Sequence, residues 1–472
     1  MLRLVLALWR LVLPFLLFLL GWGVVVDRAL ARFGLSQPVL DTPAKTTAYG
    51  WFLAAIFGVG AVLSYNLAAL VYRLTRGAPR NTVHPPAMRR SGGGTAGLLA
   101  PYQRIGLILA GGGAKGAYQA GAMRAIWEFL EEHDAIDRVR MVAGTSIGSW
   151  NAMFWLAGLV RPPATGGPSA HEAWWSAIRP ERILDFDWFV PMMQNHIARS
   201  TPWRTAFQQI FRDTPAIHDR LATMLSSRHA PTPAPLNFYL TRSNVEAAVL
   251  EFTTNSWGMA ELERIDPQTG ARVPVFDTSL YHVLDGADPP GAFQELEDAV
   301  FASMDIPPVF PLTRMKAPGF GTEWFEDGGV IENLPMLFGT QVEHCDLLFV
   351  LPLNATFRAP VNHRSIIARL SRVMEARQGV IERNAFKLAY LYNELHQATG
   401  KSLVSIFAIC PAGRLAVGTV DFHKRREAGA AYRLMYDATA QELKEGFGNL
   451  TPQWIRLATV GANGERRRVD EF

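Results

Sequence analysis

A serine between two glycines joins two apolar runs of different character: Gly144-Thr145-Ser146-Ile147-Gly148. Val139, Met141 and Val142 form a run short enough for a strand. Ile147, Trp150, Ala152, Met153, Phe154 and Leu156 crowd into a stretch that reads as a buried helix. Ser146 thus falls at a strand-to-helix turn, one step in the alternation of strands and helices that argues an α/β architecture. Such a turn strains the backbone of its serine and exposes the hydroxyl, Gly144 and Gly148 let helix and strand pass closely, and the helix N-terminus favours developing negative charge. The plainer alternative is a tight turn with a solvated serine.

Upstream, the strand-like run Ile105, Leu107, Ile108 and Leu109 leads into Ala110-Gly111-Gly112-Gly113-Ala114-Lys115-Gly116 and then a helix-like stretch to Glu131. Consecutive glycines at a helix N-terminus turn backbone N–H groups toward one point, which is how proteins build anion sites. In acyl transfer that anion is the tetrahedral oxyanion. Gly111, Gly113 and Gly116 also match the spacing of a dinucleotide-binding loop, which expects an acidic residue about 20 positions later, at the end of a second strand. Glu131, Glu132 and Asp134 lie near that distance but end a helix, and the second strand delivers Ser146 instead. A nucleoside-triphosphate loop is excluded, since Gly116 and Ala117 stand where Ser or Thr would follow Lys115.

Downstream, Trp324-Phe325-Glu326-Asp327-Gly328-Gly329-Val330 places an aspartate at an apolar strand end, before a glycine pair that permits a sharp turn. A carboxylate is a weak general base unless it is hydrogen-bonded to the serine in a partly dry pocket. An Asp-Gly hairpin is the alternative.

At this point the chain resembles the patatin-like phospholipases, in the form of a bacterial-type, membrane-anchored member. The likeness rests on the Gly111–Gly116 loop, the Gly144–Gly148 turn, Asp327-Gly328-Gly329, the stretch Ala302-Ser303-Met304-Asp305-Ile306-Pro307-Pro308-Val309-Phe310-Pro311, and Val330-Ile331-Glu332-Asn333-Leu334-Pro335. It spans roughly residues 104 to 355. One departure is Ala110, where plant members have an aspartate and bacterial members often a small residue. The resemblance implies a three-layer α/β/α domain with a mostly parallel central sheet, and a serine lipid acyl hydrolase of the phospholipase A or lysophospholipase type. Ser146 would be the nucleophile and Asp327 its base in a Ser–Asp dyad. Gly111, Gly112, Gly113 and Ala114 would form the oxyanion hole, supported by Lys115, Gly116, Gly144, Gly148, Gly328 and Gly329. Lys115 would meet a lipid phosphate, or be a solvated residue of a first helical turn. The implied partner is a membrane phospholipid or related acyl-ester lipid, with no cofactor and no metal.

Three other readings stay open. A Ser-Asp-His α/β-hydrolase needs a histidine after the acid, and His344 and His363 are available. The second is the dinucleotide-binding protein, and the third a non-catalytic membrane scaffold. Nucleic acid is not an expected partner: the net charge is only +4, and no basic helix with interleaved aromatics occurs. A homo-oligomer is compatible with the sequence.

The N-terminus points to a membrane. Leu11 to Val26 is uninterrupted apolar sequence, extendable back past Arg10, and Thr47 to Tyr72 holds no charged residue. Helices over about 5–26 and 47–72 would each span a hydrocarbon core about 30 Å thick. Arg73, Arg76, Arg80, Arg89 and Arg90 follow the second run, whereas the loop between the runs balances Arg28, Arg32 and Lys45 with Asp27 and Asp41. Positive-inside logic then makes a multi-pass inner-membrane protein with both hairpin ends, and the catalytic domain, in the cytoplasm. A cleaved signal peptide ending near Ala29-Leu30-Ala31 is the alternative for the first run. Cys345 and Cys410 lie in apolar runs, which fits a reducing compartment.

The expected organisation is a hairpin over 1–73, a basic, Gly-rich linker over 74–103, a catalytic domain over 104–450 and a solvated tail over 451–472. Strand-like runs at Ile105–Leu109, Arg140–Ala143, Leu236–Thr241, Ala247–Phe252, Leu347–Leu351 and Leu403–Ile409 alternate with helical stretches, which predicts a largely parallel sheet with helices on both faces. Ile366 to His396 reads as a long surface helix of open role. An aromatic-rich insertion, with Trp174, Trp175, Phe186, Trp188, Phe189, Met192, Met193 and Trp203, reads as an acyl-chain or interfacial surface, or as the packed interior of a helical cap.

Overall fold

The computed structural model describes residues 97–164, 166–183, 185–186, 196–225, 236–256, 263–265, 268–274, 280–284, 288–317, 321–354, 366–411, 415–419, 421–447, 455–460 and 466–469, together with 15–18, 21–22, 25–26, 28, 56 and 58–65. The chain divides into two units, one of Met1–Arg80 with Leu184–Pro202 and Pro308–Pro311, the other of the remaining residues. In the first, the Trp22 indole N–H donates to the Ile56 carbonyl at 3.1 Å and Phe15 meets Tyr65 edge-on, so the described parts of the two apolar runs touch in antiparallel sense. Most of both runs lies outside the described residues, as does most of the linker. Among the described residues no helix is long and apolar enough to cross a membrane, so the hairpin's membrane crossing has no structural support.

The second unit is built on an eleven-stranded sheet. Its elements in chain order are β1 (Ile105–Leu109), α1 (Gly116–Glu132), β2 (Val139–Gly144), α2 (Ile147–Leu156), β3 (Asn237–Asn244), β4 (Val249–Thr254), β5 (Tyr281–Val283), α3 (Pro289–Met304), β6 (Thr313–Ala317), β7 (Gly321–Asp327), β8 (Leu347–Leu351), α4 (Ile366–Ala398), β9 (Ser405–Pro411), α5 (Arg425–Gly446), β10 (Ile455–Val460) and β11 (Arg466–Val469). The order across the sheet is β6-β7-β3-β2-β1-β8-β9-β10-β11, with β4 on β3 and β5 on β4. The run from β3 through β10 is parallel throughout; β6, β7, β4 and β11 join antiparallel.

Central parallel strands are covered on both faces, so they read as continuous apolar runs. Side chains alternate between those faces. Ile108, Met141, Ala143, Tyr239, Leu348, Val350 and Ile406 face a layer made by Ala385, Phe386 and Ala389 of α4 and by Leu334, Met336 and Phe338 of the preceding turn. On the alternate register, Phe349 and Phe407 pack on Phe447, just past α5, which also meets Phe129 of α1. Helices α1, α2, α3 and α5 pack in succession on this second face. The result is the expected three-layer α/β/α domain.

Two expectations change. The tail read as solvated contributes β10 and β11, which extend the sheet. Residues 466–468, three arginines, resemble a charge run in sequence; backbone pairing with β10 makes them part of an edge strand. Of the aromatic insertion, Trp174, Trp175 and Trp203 are buried, and Trp174 and Trp203 lie against Trp150 of α2 at ring distances of 5.0 and 5.3 Å. These three are core, while 188–193 lie outside the described residues.

Candidate active site

The topology brings the three glycine motifs to one end of the sheet. Strand β2 ends at Gly144, paired with Leu240 of β3; β7, running the other way, ends at Asp327, paired with Arg242. Because β4 occupies the opposite edge of β3 over residues 239–244, β7 shares the edge used by β2. The end of β2 and the end of β7 therefore meet head to head. Two residues beyond Gly144 stands Ser146, whose side chain comes close enough to the Asp327 carboxyl to lower its pKa.

Ser146 has φ 54° and ψ −125°, a left-handed conformation for a non-glycine residue. Holding such a residue costs about 1–3 kcal/mol and persists only where the surroundings enforce it. They do so here: the Ser146 N–H donates to Ser303 Oγ at 2.9 Å, Ser303 Oγ meets Ser149 Oγ at 2.8 Å, and Ser149 Oγ donates to the Gly144 carbonyl at 2.9 Å. Thr145 N–H donates to the Leu109 carbonyl at 3.0 Å, and Thr241 Oγ1 donates to Thr145 Oγ1 at 2.7 Å. Gly148 is the point of closest approach, where a Cβ would lie 2.2 Å from the Leu109 carbonyl oxygen. That contact is with strand backbone, which cannot yield. Gly148→Ala is accordingly expected to cost about 2–3 kcal/mol, seen as a lower thermal midpoint; an unchanged midpoint contradicts the packing described.

Asp327 is 4% exposed, and its carboxylate also accepts the Gly329 N–H at 2.7 Å. Burial pushes its pKa up to about 7, against the lowering effect of the Ser146 and Gly329 hydrogen bonds. Neighbouring Asp305, pushed by burial to about 8, accepts from Thr313 Oγ1, and its carbonyl takes the Asp327 N–H at 3.1 Å. Gly328 fits against Thr241, where a Cβ would sit 2.2 Å from the threonine hydroxyl oxygen.

The glycine loop lies beside the serine: a Cβ on Gly111 would be 2.8 Å from Ser146 Cβ. Its four amides are not equivalent. Gly111 N–H donates to Asn333 Oδ1 at 3.0 Å, and Ala114 N–H to the Thr419 carbonyl at 2.9 Å. Among the described residues no acceptor takes the N–H of Gly112 or Gly113. Of the four amides expected to line an oxyanion hole, two are thus engaged within the protein and two are not. Gly113, at φ 58°, has the left-handed backbone that a side chain disfavours, and a Cβ there would lie 2.1 Å from the Thr419 oxygen. Gly116 packs on Ile147 and Trp175, completing the contact between the α1 and α2 starts.

Lys115 is not the solvated residue of a first helical turn. The side chain is buried, and Nζ donates to Asn354 Oδ1 at 2.9 Å and pairs with Glu375 Oε1 at 3.6 Å. Burial lowers its pKa, opposed by Glu375 and Glu382. Both glutamates come from α4, so the helix of open role reaches the site. Asn333 and Ser303 were visible as parts of quoted motifs. Glu382, Asn354 and Thr419 had no signal of their own, because only the fold sets them against the loop.

The geometry removes the dinucleotide site and the triad that uses His344. His344 precedes β8 and therefore lies at the N-terminal edge of the parallel strands, whereas Ser146 follows the C-terminal end of β2. A five-residue strand at about 3.3 Å per residue separates those edges by roughly 16 Å, so His344 cannot serve the serine; His363 lies outside the described residues. A dinucleotide site needs its acid at the C-terminal end of β2, but Glu131, Glu132 and Asp134 precede β2 at the other edge.

Residues 107–338 match the patatin-like phospholipase family. The chain is also similar in structure to VipD from Legionella pneumophila, at 16% identity and a TM-score of 0.33, over 72% of this chain and 67% of that one. No curated protein matches it. With the serine turn, the glycine loop and the Asp-Gly-Gly turn all inside the matched segment, the chain carries a patatin-like phospholipase domain, of a family of lipid acyl hydrolases.

Proposed function

We propose that the protein is a serine lipid acyl hydrolase of the phospholipase A or lysophospholipase type working through a Ser146–Asp327 dyad. The observation that supports this most is the meeting of Ser146 and the buried Asp327 carboxyl where the ends of β2 and β7 come head to head, close enough that the serine side chain lowers the carboxyl's pKa. Ser146 Oγ attacks the ester carbonyl carbon as its proton passes to Asp327. The carbonyl oxygen, now an oxyanion, accepts from the N–H groups of Gly112 and Gly113, and the starts of α1 and α2 add their dipoles. Collapse breaks the ester C–O bond, and the leaving alkoxide takes the proton from Asp327. Asp327 then removes a proton from water, whose attack on the acyl-serine releases the fatty acid and restores Ser146.

The apolar runs of the first 72 residues and the arginines after them support a substrate in the adjoining membrane and a cytoplasmic catalytic domain. Electrophile trapping tests the chemistry: a serine-directed phosphonate ester should add one covalent group to the full-length protein, located on Ser146 by peptide mass spectrometry. Absence of that adduct from folded protein rules the hydrolase out.

A pH profile tests the base. Asp327 must be ionised to accept the proton, and burial raises its pKa to about 7. The free enzyme's kcat/KM should therefore rise with pH through a midpoint about 7, well above the ordinary aspartate value of about 3.9. A limb centred near 4 contradicts a desolvated base.

A further inference from the structure

We infer that Glu382 of α4 is a positioning residue that ties both ends of the glycine loop to one buried carboxylate oxygen, keeping the Gly112 and Gly113 amides free for the oxyanion. The inference rests on the hydrolase reading above and extends it to a residue outside the family-matched segment 107–338.

At the loop's upstream end, the Asn333 side chain grips Gly111 twice. Its Oδ1 accepts the Gly111 N–H at 3.0 Å, and its Nδ2 donates to the Gly111 carbonyl at 3.3 Å. The same Nδ2 donates to Glu382 Oε1 at 2.5 Å. At the downstream end, Lys115 Nζ donates to Asn354 Oδ1 at 2.9 Å, and Asn354 Nδ2 donates to that same Oε1 at 2.7 Å. All four side chains are buried, Asn333 and Glu382 at 0% and 3% exposed.

The carboxylate matters because a side-chain amide has two ends of similar shape and opposite polarity. An ionised carboxylate accepts only. Both asparagines must then turn their NH2 groups toward Glu382 and their oxygens toward the loop. One oxygen meets the Gly111 N–H and the other the Lys115 ammonium. Without the acceptor, either amide can reverse, presenting N–H to N–H at Gly111 or N–H to ammonium at Lys115. A reversal at Gly111 rotates the peptide that precedes Gly112, and the oxyanion donors move with it. The charge is balanced locally: Lys115 faces Glu382 and Glu375, and Arg372 pairs with Glu375 at 3.2 Å. Burial pushes the Glu382 carboxyl up to about 7, held down by both amides and by Lys115.

Kinetics of the full-length chain separate positioning from mere support. Active sites are counted by phosphonate titration, and kcat and KM are measured on a soluble p-nitrophenyl ester. The Ki of a trifluoromethyl ketone, which forms a tetrahedral oxyanion on the serine, completes the set. Glu382→Ala is expected to lower kcat per titrated site by about 10²-fold and to weaken the ketone by a similar factor, with KM within about twofold. Glu382→Gln keeps the shape and one acceptor, and should lose only about tenfold in both. It also carries the test if the alanine variant yields no titratable sites. A lower thermal midpoint with kcat per site and ketone affinity unchanged in either folded variant overturns the inference and leaves the hydrolase intact. Failure of wild-type Ser146 to take the phosphonate overturns both.

Discussion

Ser146→Ala is expected to lower kcat by about 10⁴-fold or more, with KM for a soluble ester within about threefold and the thermal midpoint nearly unchanged. The size follows from removing the atom that forms the acyl bond; what is left is whatever the oxyanion donors contribute to attack by water. The fold should tolerate the change, because alanine meets the same backbone strain at φ 54° and the N–H bond to Ser303 does not involve the hydroxyl. Residual turnover above about one per cent of wild type, measured on protein free of contaminating esterase, removes Ser146 from the mechanism.

Asp327→Asn is expected to lower kcat by about 10³–10⁴-fold, comparable to loss of the acid in a serine–histidine–aspartate triad. Asparagine keeps the acceptor oxygen for the Gly329 N–H, so the turn after β7 is retained. What it loses is the ability to take a proton. Because a dyad has no histidine to share the work, the loss should fall on acylation and deacylation alike. Burst-phase kinetics can read this: Asp327→Asn should show neither a burst nor rapid phosphonate labelling. A variant that acylates at the wild-type rate and stalls only afterwards assigns the first proton transfer to another group.

These two variants concern residues that were legible before any coordinates. Ser146 and Asp327 were visible because turns with fixed backbone needs leave glycines behind, and glycine spacing survives in a linear sequence. The central strands were visible for a related reason: parallel strands covered on both faces become short apolar runs such as Leu347–Leu351. Strands β10 and β11 were not, since an edge strand rich in arginine has the composition of a solvated tail. Which amides of the glycine loop stay free was also hidden. Four amides follow one another in Gly111–Ala114, and nothing in the order of residues tells that Asn333 and Thr419 take the outer two.

Lys115 and α4 show the same limit from the other side. In sequence, a lysine in a first helical turn is solvated or meets a phosphate, and a mixed-charge helical stretch lies on the surface. Folding brings Glu375 and Glu382 of that stretch against Lys115, more than 250 positions away, so the lysine is not solvated and the helix is not merely a surface one. Local chemistry — the strained serine turn, the glycine loop, the Asp-Gly-Gly step and the apolar strands — is determined by residues near one another in the chain, and the sequence determines it alone. Which amides stay free, which carboxylate orients them and which histidine lies too far to act depend on strand order and register. Those are set by packing between distant segments, and only the tertiary structure decides them.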